Sequence, residues 1–275
     1  MGVIETATNP WGQSVPIHIE FYLMWAAAIG GLAFLMVHAI YVQFLAAKET
    51  HTYSMTDQAA AARGIPAKIK RHSGVARIFH WVMSLAMFAL LITAFLPKMG
   101  YPFAWVEYHW IAGLVLTASI IFHIFHASFW MDFWSIWPDK IDIEDGKRRW
   151  LRATGKSAPE PRKFAKYPME NKMYHLIIVL AGLSVTLTGV FMMKRVRTPF
   201  FTRNPYLFSD WTWGMMYVLH GLAGVGLIGL IMAHVYFALR PEKFDITKSM
   251  IGGSITREHY LEHHDPERWP VEANK

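Results

Sequence analysis

Five stretches of the chain carry no Asp, Glu, Lys or Arg: Phe21–Ala47 (27 residues), Ile78–Pro97 (20), Tyr108–Met131 (24), Met173–Met193 (21) and Trp211–Leu239 (29). Each reaches the roughly 20 residues a helix needs to cross a ~30 Å hydrocarbon core. Lipid offers the backbone no hydrogen-bond partners, so each run is expected to be helical. Trp25, Trp81, Trp110, Trp130, Trp211 and Trp213 stand near the run ends, where amphipathic rings favour the interface. The pattern predicts an all-α integral membrane bundle of five transmembrane helices. It divides the chain into an N-terminal segment 1–20, a first span 21–47, a connection 48–77, a four-span core 78–239 with a long loop 132–172, and a tail 240–275.

Charge sets the expected orientation. The connection 48–77 holds six Lys and Arg, the loop 132–172 ten and the tail six, together 22 of the 27 in the chain. These three segments share one side of a five-span protein, and the positive-inside bias makes that side cytoplasmic. The N-terminus is then outside and the C-terminus inside. The net charge of +7 thus reads as membrane topology, and nucleic acid is not expected as a partner. Against the bias, Lys194, Arg195, Arg197 and Arg203 form a basic outer loop, suited to an acidic partner or to a solvated interface. The loop 132–172 is expected to be surface structure with one short helix. In the tail, 257–265 reads as a short polar helix stopped before Pro266, with His259 and His263 four apart on a solvated face.

Composition narrows the chemistry. Charged residues make up 17% of the 275 positions, against roughly 25% in soluble domains. Zero cysteine excludes thiolate-held iron–sulfur clusters, Cys-type zinc sites, disulfides and covalently attached haem. Histidine, present 14 times, is the remaining ligand for a redox centre, and imidazoles facing a bundle interior hold b-type haem.

Eight histidines fall within the uncharged runs: His38, His80, His109, His123, His126, His175, His220 and His234. An ionisable group inside a span is a functional hypothesis by default. His220 and His234 are 14 residues apart, about 21 Å along a helix and within about 40° of the same face. One helix thereby offers ligands at two depths. Matching by depth pairs His109 with His220 near the outer side and His80 with His234 near the inner side, giving two bis-His haems. His109 and His123 repeat the 14-residue spacing, so His109–His220 with His123–His234 is a competing assignment. His38 with His123 or His126 is a candidate third pair. For His38, His126 and His175 the plainer expectation is a polar side chain bonded across helices. Arg77 is the inner candidate for a haem propionate partner. A transporter or proton channel using intramembrane histidine is the alternative of another class.

The sequence resembles the dihaem cytochrome b gamma subunit of membrane-bound formate dehydrogenase, with thiosulfate reductase and nickel–iron hydrogenase cytochromes b as relatives. The likeness spans roughly 70–270 and rests on Arg77-Ile-Phe-His80-Trp81, His109-Trp-Ile-Ala-Gly113, Lys166-Tyr167 through Lys172-Met173, Thr188-Gly189-Val190, His220-Gly-Leu-Ala-Gly224 and His234-Val-Tyr236, with Met250-Ile-Gly-Gly253 and His263-His264 through Arg268-Trp269 following. It implies four haem ligands, His80, His109, His220 and His234, in the same pairs that depth selects. It also implies a prokaryotic inner-membrane location, a periplasmic iron–sulfur partner fed by a molybdopterin- or tungstopterin-type subunit, and reduction of quinone near the cytoplasmic face. Flow in the reverse direction, as in quinol-oxidising complexes, keeps the same sites. Two departures stand out. The family has four spans where this chain has five. Its Tyr-Asn-x-x-Gln-Lys reads Tyr167-Pro-Met-Glu170-Asn171-Lys172, which leaves Glu170, Asn171 and His175 as the quinone-site candidates.

Overall fold

A computed structural model describes residues 5–45 and 53–271. The expected end of the first span at Ala46 and Ala47, the adjoining Lys48, and Lys275 lie outside the described residues. Five helical stretches are long and apolar enough to cross a membrane: Ile19–Phe44, Gly74–Met99, Trp105–Trp130, Met169–Arg195 and Asp210–Leu239. Their α-helical parts are α1 (Ile19–Ile40), α3 (Gly74–Phe95), α4 (Trp105–Trp130), α6 (Met169–Met192) and α7 (Asp210–Leu239). Shorter helices are α2 (Asp57–Ala62), α5 (Lys140–Ala153), α8 (Phe244–Gly252) and α9 (Arg257–His263). Ile78, Leu85 and Leu180 on these spans are each more than 60% exposed, an apolar surface suited to contact with lipid.

The helices run past their uncharged cores. Gly74 to Arg77 opens α3, and Met169 to Lys172 opens α6. Charged side chains in an interfacial turn remain solvated while the backbone continues its ladder, so the helix ends where caps and prolines say. Ser73 Oγ accepts from Ala76 N–H at 3.1 Å ahead of α3, and Ser209 Oγ accepts from Thr212 N–H at 3.2 Å ahead of α7. Pro241 stands just beyond the end of α7.

The chain forms two compact units. The first comprises residues 1–46, 82–120 and 180–236. It contains the antiparallel hairpin β1 (Thr6–Thr8) and β2 (Ser14–Pro16) and the helix α1. Glu20 in the first turn of α1 pairs with Lys98 and lies over Gly221 of α7, where an added Cβ would meet the Glu20 carboxylate at 2.5 Å. A side chain at 221 would displace the Glu20 carboxylate from its place beside Lys98.

The second unit comprises 47–81, 121–179 and 237–275. Strands β3 (Lys68–Lys70) and β4 (Ser254–Thr256) pair antiparallel with Ile69 opposite Ile255. Around them Ala60, Ile65, Tyr260 and Leu261 close a small apolar core. The polar, solvated helix expected for 257–265 is therefore corrected: in α9 His259, Tyr260 and Leu261 are buried, because the strand pair carries the tail onto this core. Helix α5 starts on a capping box between Asp139 and Asp142. Asp142, 4% exposed, receives Lys172 Nζ at 2.5 Å and Arg268 Nη2 at 3.1 Å. Burial raises the Asp142 pKa, but hydrogen bonds from Lys172 and the Asp139 backbone outweigh it and hold the carboxyl below its usual range. Removing one partner from such a buried pair costs about 3–5 kcal/mol.

Candidate functional site

Within the first unit, α4 and α7 bring His109 and His220 together with ring centroids 6.1 Å apart and planes at 68°. Each imidazole is held from behind by a threonine. Thr93 Oγ1 lies 2.8 Å from His109 Nδ1, and Thr188 Oγ1 lies 2.9 Å from His220 Nδ1. A threonine hydroxyl has one hydrogen, and each is committed to a carbonyl one turn earlier, Thr93 to Ala89 at 2.7 Å and Thr188 to Ser184 at 2.5 Å. With the hydroxyls so committed, each is free to accept from a histidine Nδ1–H, an arrangement that leaves Nε2 of each ring with its lone pair.

That is the tautomer a metal-ligating imidazole needs, with its second nitrogen donating to a supporting oxygen. Two metal–imidazole bonds of about 2 Å, each with about 1 Å from nitrogen to ring centre, put ring centres about 6 Å apart. The observed separation is that at which His109 and His220 would both ligate one haem iron. Gly189 completes the fit, since a Cβ there would sit 3.2 Å from His220 Cε1. Thr93 was missed in the sequence, yet a signal existed. Thr93 and His109 are each eight residues from Tyr101, and Thr188 and His220 each sixteen from Asn204, so two antiparallel helix pairs carry them to equal depths.

His80 and His234 belong to different units. His80 is half-buried beside Trp81, and His234 is accessible on α7. Arg77 donates through Nη1 to Ile251 O at the end of α8, while its Nε is buried without a partner among the described residues. Trp81 Nε1 donates to Met250 O at 3.2 Å, so both side chains also cap α8.

The other span histidines fall into two groups. His38 takes the cross-helix bond, its Nδ1 lying 3.1 Å from Tyr236 Oη. In the second unit His123 stacks on Phe79 at 4.6 Å and meets His175 with centroids 6.4 Å apart at 73°. His175 in turn faces Trp137 edge-on at 5.9 Å, and His126 is stacked between Phe122 and Trp130. The Nδ1 atoms of His123, His126 and His175 are buried without a hydrogen-bond partner among the described residues. Of the quinone-site candidates, Glu170 is exposed and paired with Arg149 at 3.1 Å. Asn171 is exposed beside it. Glu170 and His175 are five residues apart on α6, about 140° around the helix, so they face different ways. His259 and His263 have centroids 4.4 Å apart, and among the described residues no group of three or more His, Asp or Glu side chains is placed to hold a metal ion.

A bundle of membrane-spanning helices with threonine-backed imidazoles brought together between two spans has the makings of a b-type cytochrome. The model of the prokaryotic cytochrome b561 family matches residues 71–253, two-thirds of the chain, and the chain belongs to that family. It is a multi-pass membrane protein of haem b electron transfer. No curated protein matches the chain. Helix α1 and the segment after Gly253 lie outside the matched residues.

Proposed function

We propose that this chain is the membrane-anchoring dihaem cytochrome b subunit of a respiratory oxidoreductase of the formate dehydrogenase type. His109 and His220 hold the haem near the periplasmic side, and His80 and His234 hold the one near the cytoplasmic side. The chain conducts electrons from a periplasmic iron–sulfur subunit, itself served by a molybdopterin- or tungstopterin-type enzyme, to quinone near the cytoplasmic side. Its N-terminus is outside and its C-terminus cytoplasmic.

The observation that carries this reading is the pair of threonine-backed imidazoles at haem-iron spacing. For the inner pair, support comes from the 14-residue spacing of His220 and His234 on α7, which puts a second imidazole near the same face at the inner depth where His80 opens its own span. Bound haem supplies one-electron chemistry. The polypeptide contributes four ligands, a proton held at each of two Nδ1 atoms, and a low-dielectric frame. Ligand levels 14 residues apart on α7 carry charge across most of the bilayer, so transfer can contribute to a proton-motive force. Glu170, Asn171 and His175 remain the proposed quinone-site residues.

Reduced-minus-oxidised spectra of purified variants test the ligand set. His220→Ala is expected to remove one haem and leave the other reducible by quinol, and His80→Ala to do the reverse. Full haem content in His80→Ala would sink the inner pair. Copurification with an iron–sulfur protein and a molybdopterin enzyme is expected for the whole complex; a hydrogenase or another enzyme in their place would change the partner while leaving the cytochrome intact.

A further inference from the structure

Arg71 is 4% exposed and lies in the turn between β3 and α3. Its backbone N–H and that of His72 donate to Gly253 O at 2.9 and 3.0 Å, pinning the turn to the end of α8. The guanidinium stands 5.3 Å from the Tyr167 ring centre and 5.6 Å from that of Trp269, and Nη1 donates to His264 Nε2 at 3.4 Å. His264 accepts because its other nitrogen donates to Ala165 O at 2.7 Å. All of these partners are neutral, and Nε of Arg71 is buried without a partner among the described residues. Lys166 shares the Tyr167 ring at 5.5 Å. No ion pair to a carboxylate is formed by Arg71, Lys166 or Arg77 among the described residues, and Asp132 is the carboxylate whose charge reaches Lys166. His72 senses Arg71, Lys166, His80 and Arg77 together, and burial first and these charges second push it down to about 3. Positive groups converge where a charge without a counter-ion is expensive.

We propose that Arg71 and Lys166, beside His72, form a binding site for an oxyanion, a carboxylate or phosphate group brought by a ligand. Two sources share that chemistry: a propionate of a haem held at His80, which rests on the function proposed above, and the phosphate of an anionic phospholipid headgroup. A guanidinium whose buried Nε–H has no partner among the described residues, beside an ammonium, is the pairing that such oxygens favour.

The experiment uses the full chain purified in detergent, as wild type, Arg71→Gln, Arg71→Lys and Lys166→Gln, with redox titration of each haem and phosphorus analysis of bound phospholipid. If the oxyanion is a propionate, loss of a positive charge favours the oxidised haem. Arg71→Gln and Lys166→Gln then lower one haem's reduction equilibrium by about threefold to tenfold, the latter about 59 mV for one electron. The other haem stays unmoved, and Arg71→Lys recovers most of the shift. If it is a lipid phosphate, the Gln variants lose bound phospholipid with both potentials unchanged. Unchanged potentials and unchanged phospholipid in Lys166→Gln, the more accessible position, together with a wild-type melting profile, would overturn the site. Full haem content in His80→Ala would instead defeat only the haem reading, and the phosphorus assay would still test the proposal.

Discussion

Two histidine pairs in this protein have nearly the same ring geometry and very different surroundings. His109 and His220 stand 6.1 Å apart at 68°, His123 and His175 6.4 Å apart at 73°. Behind the first pair, threonine hydroxyls stand within hydrogen-bond distance of both Nδ1 atoms. Behind the second there are aromatic rings, and the Nδ1 atoms are buried without partners among the described residues. The two pairs differ in whether an oxygen stands within reach of Nδ1, and ligation by Nε2 requires a neutral ring with its hydrogen on Nδ1, which such an oxygen favours.

The comparison breaks most directly by removing rings. His109→Ala or His220→Ala is expected to abolish one haem, whereas His123→Ala and His175→Ala keep full haem content by pyridine haemochrome assay. Loss of haem in His123→Ala would transfer the ligand role to the second pair and revive the His123–His234 assignment. Next in size is removal of the supporting oxygens. Thr188→Val and Thr93→Val keep the shape and delete the acceptor, and haem affinity is expected to fall about 10- to 100-fold while the bis-His spectrum survives. Unaltered affinity in both would mean the hydroxyls do not orient the rings.

Acid probes the second unit in another way. His264, 1% exposed, is pushed down to about 3, first by burial and then by Arg71. Its folded pKa is depressed below the unfolded value of about 6.5. Between those values the unfolded chain binds the extra proton, so stability is present above pH ~6.5 and is lost as pH falls towards 3. The slope is at most about 1.4 kcal/mol per pH unit from this residue. Thermal melts from pH 7 to 5 should show the second unit weakening, with a shallower dependence in His264→Gln. Equal slopes in the two proteins would contradict that origin. The smallest effect belongs to Gly189→Ala. Its methyl would press His220 Cε1 by a few tenths of an ångström, and a modest drop in haem retention on dilution is expected. No change would mean that His220 can yield without losing its aim.

Much of this was legible along the chain. Five uncharged runs foretell five spans because a bilayer tolerates neither charges nor open backbone, and the structure has five helices of that kind. Depth matching also named His109 and His220, since position along a helix converts to height at a fixed rise. Less legible was Thr93, an unremarkable span residue until the turn around Tyr101 sets it level with His109. The expected polar tail helix shows the same limit. A pattern rich in His, Glu and Asp reads as solvated, yet α9 packs His259, Tyr260 and Leu261 inward once β3 and β4 pair.

The sequence by itself determined the number of spans, the lack of any cysteine-held centre and the heights at which imidazoles can stand, all properties of a one-dimensional pattern meeting a slab of lipid. Only the tertiary structure decided which rings meet, which oxygens stand behind them, and that Arg71 is buried among neutral partners. Those depend on azimuth and on contacts between helices far apart in the chain, and a hydrogen bond 2.8 Å long is set by how two helices turn toward each other rather than by the residues' places in the sequence.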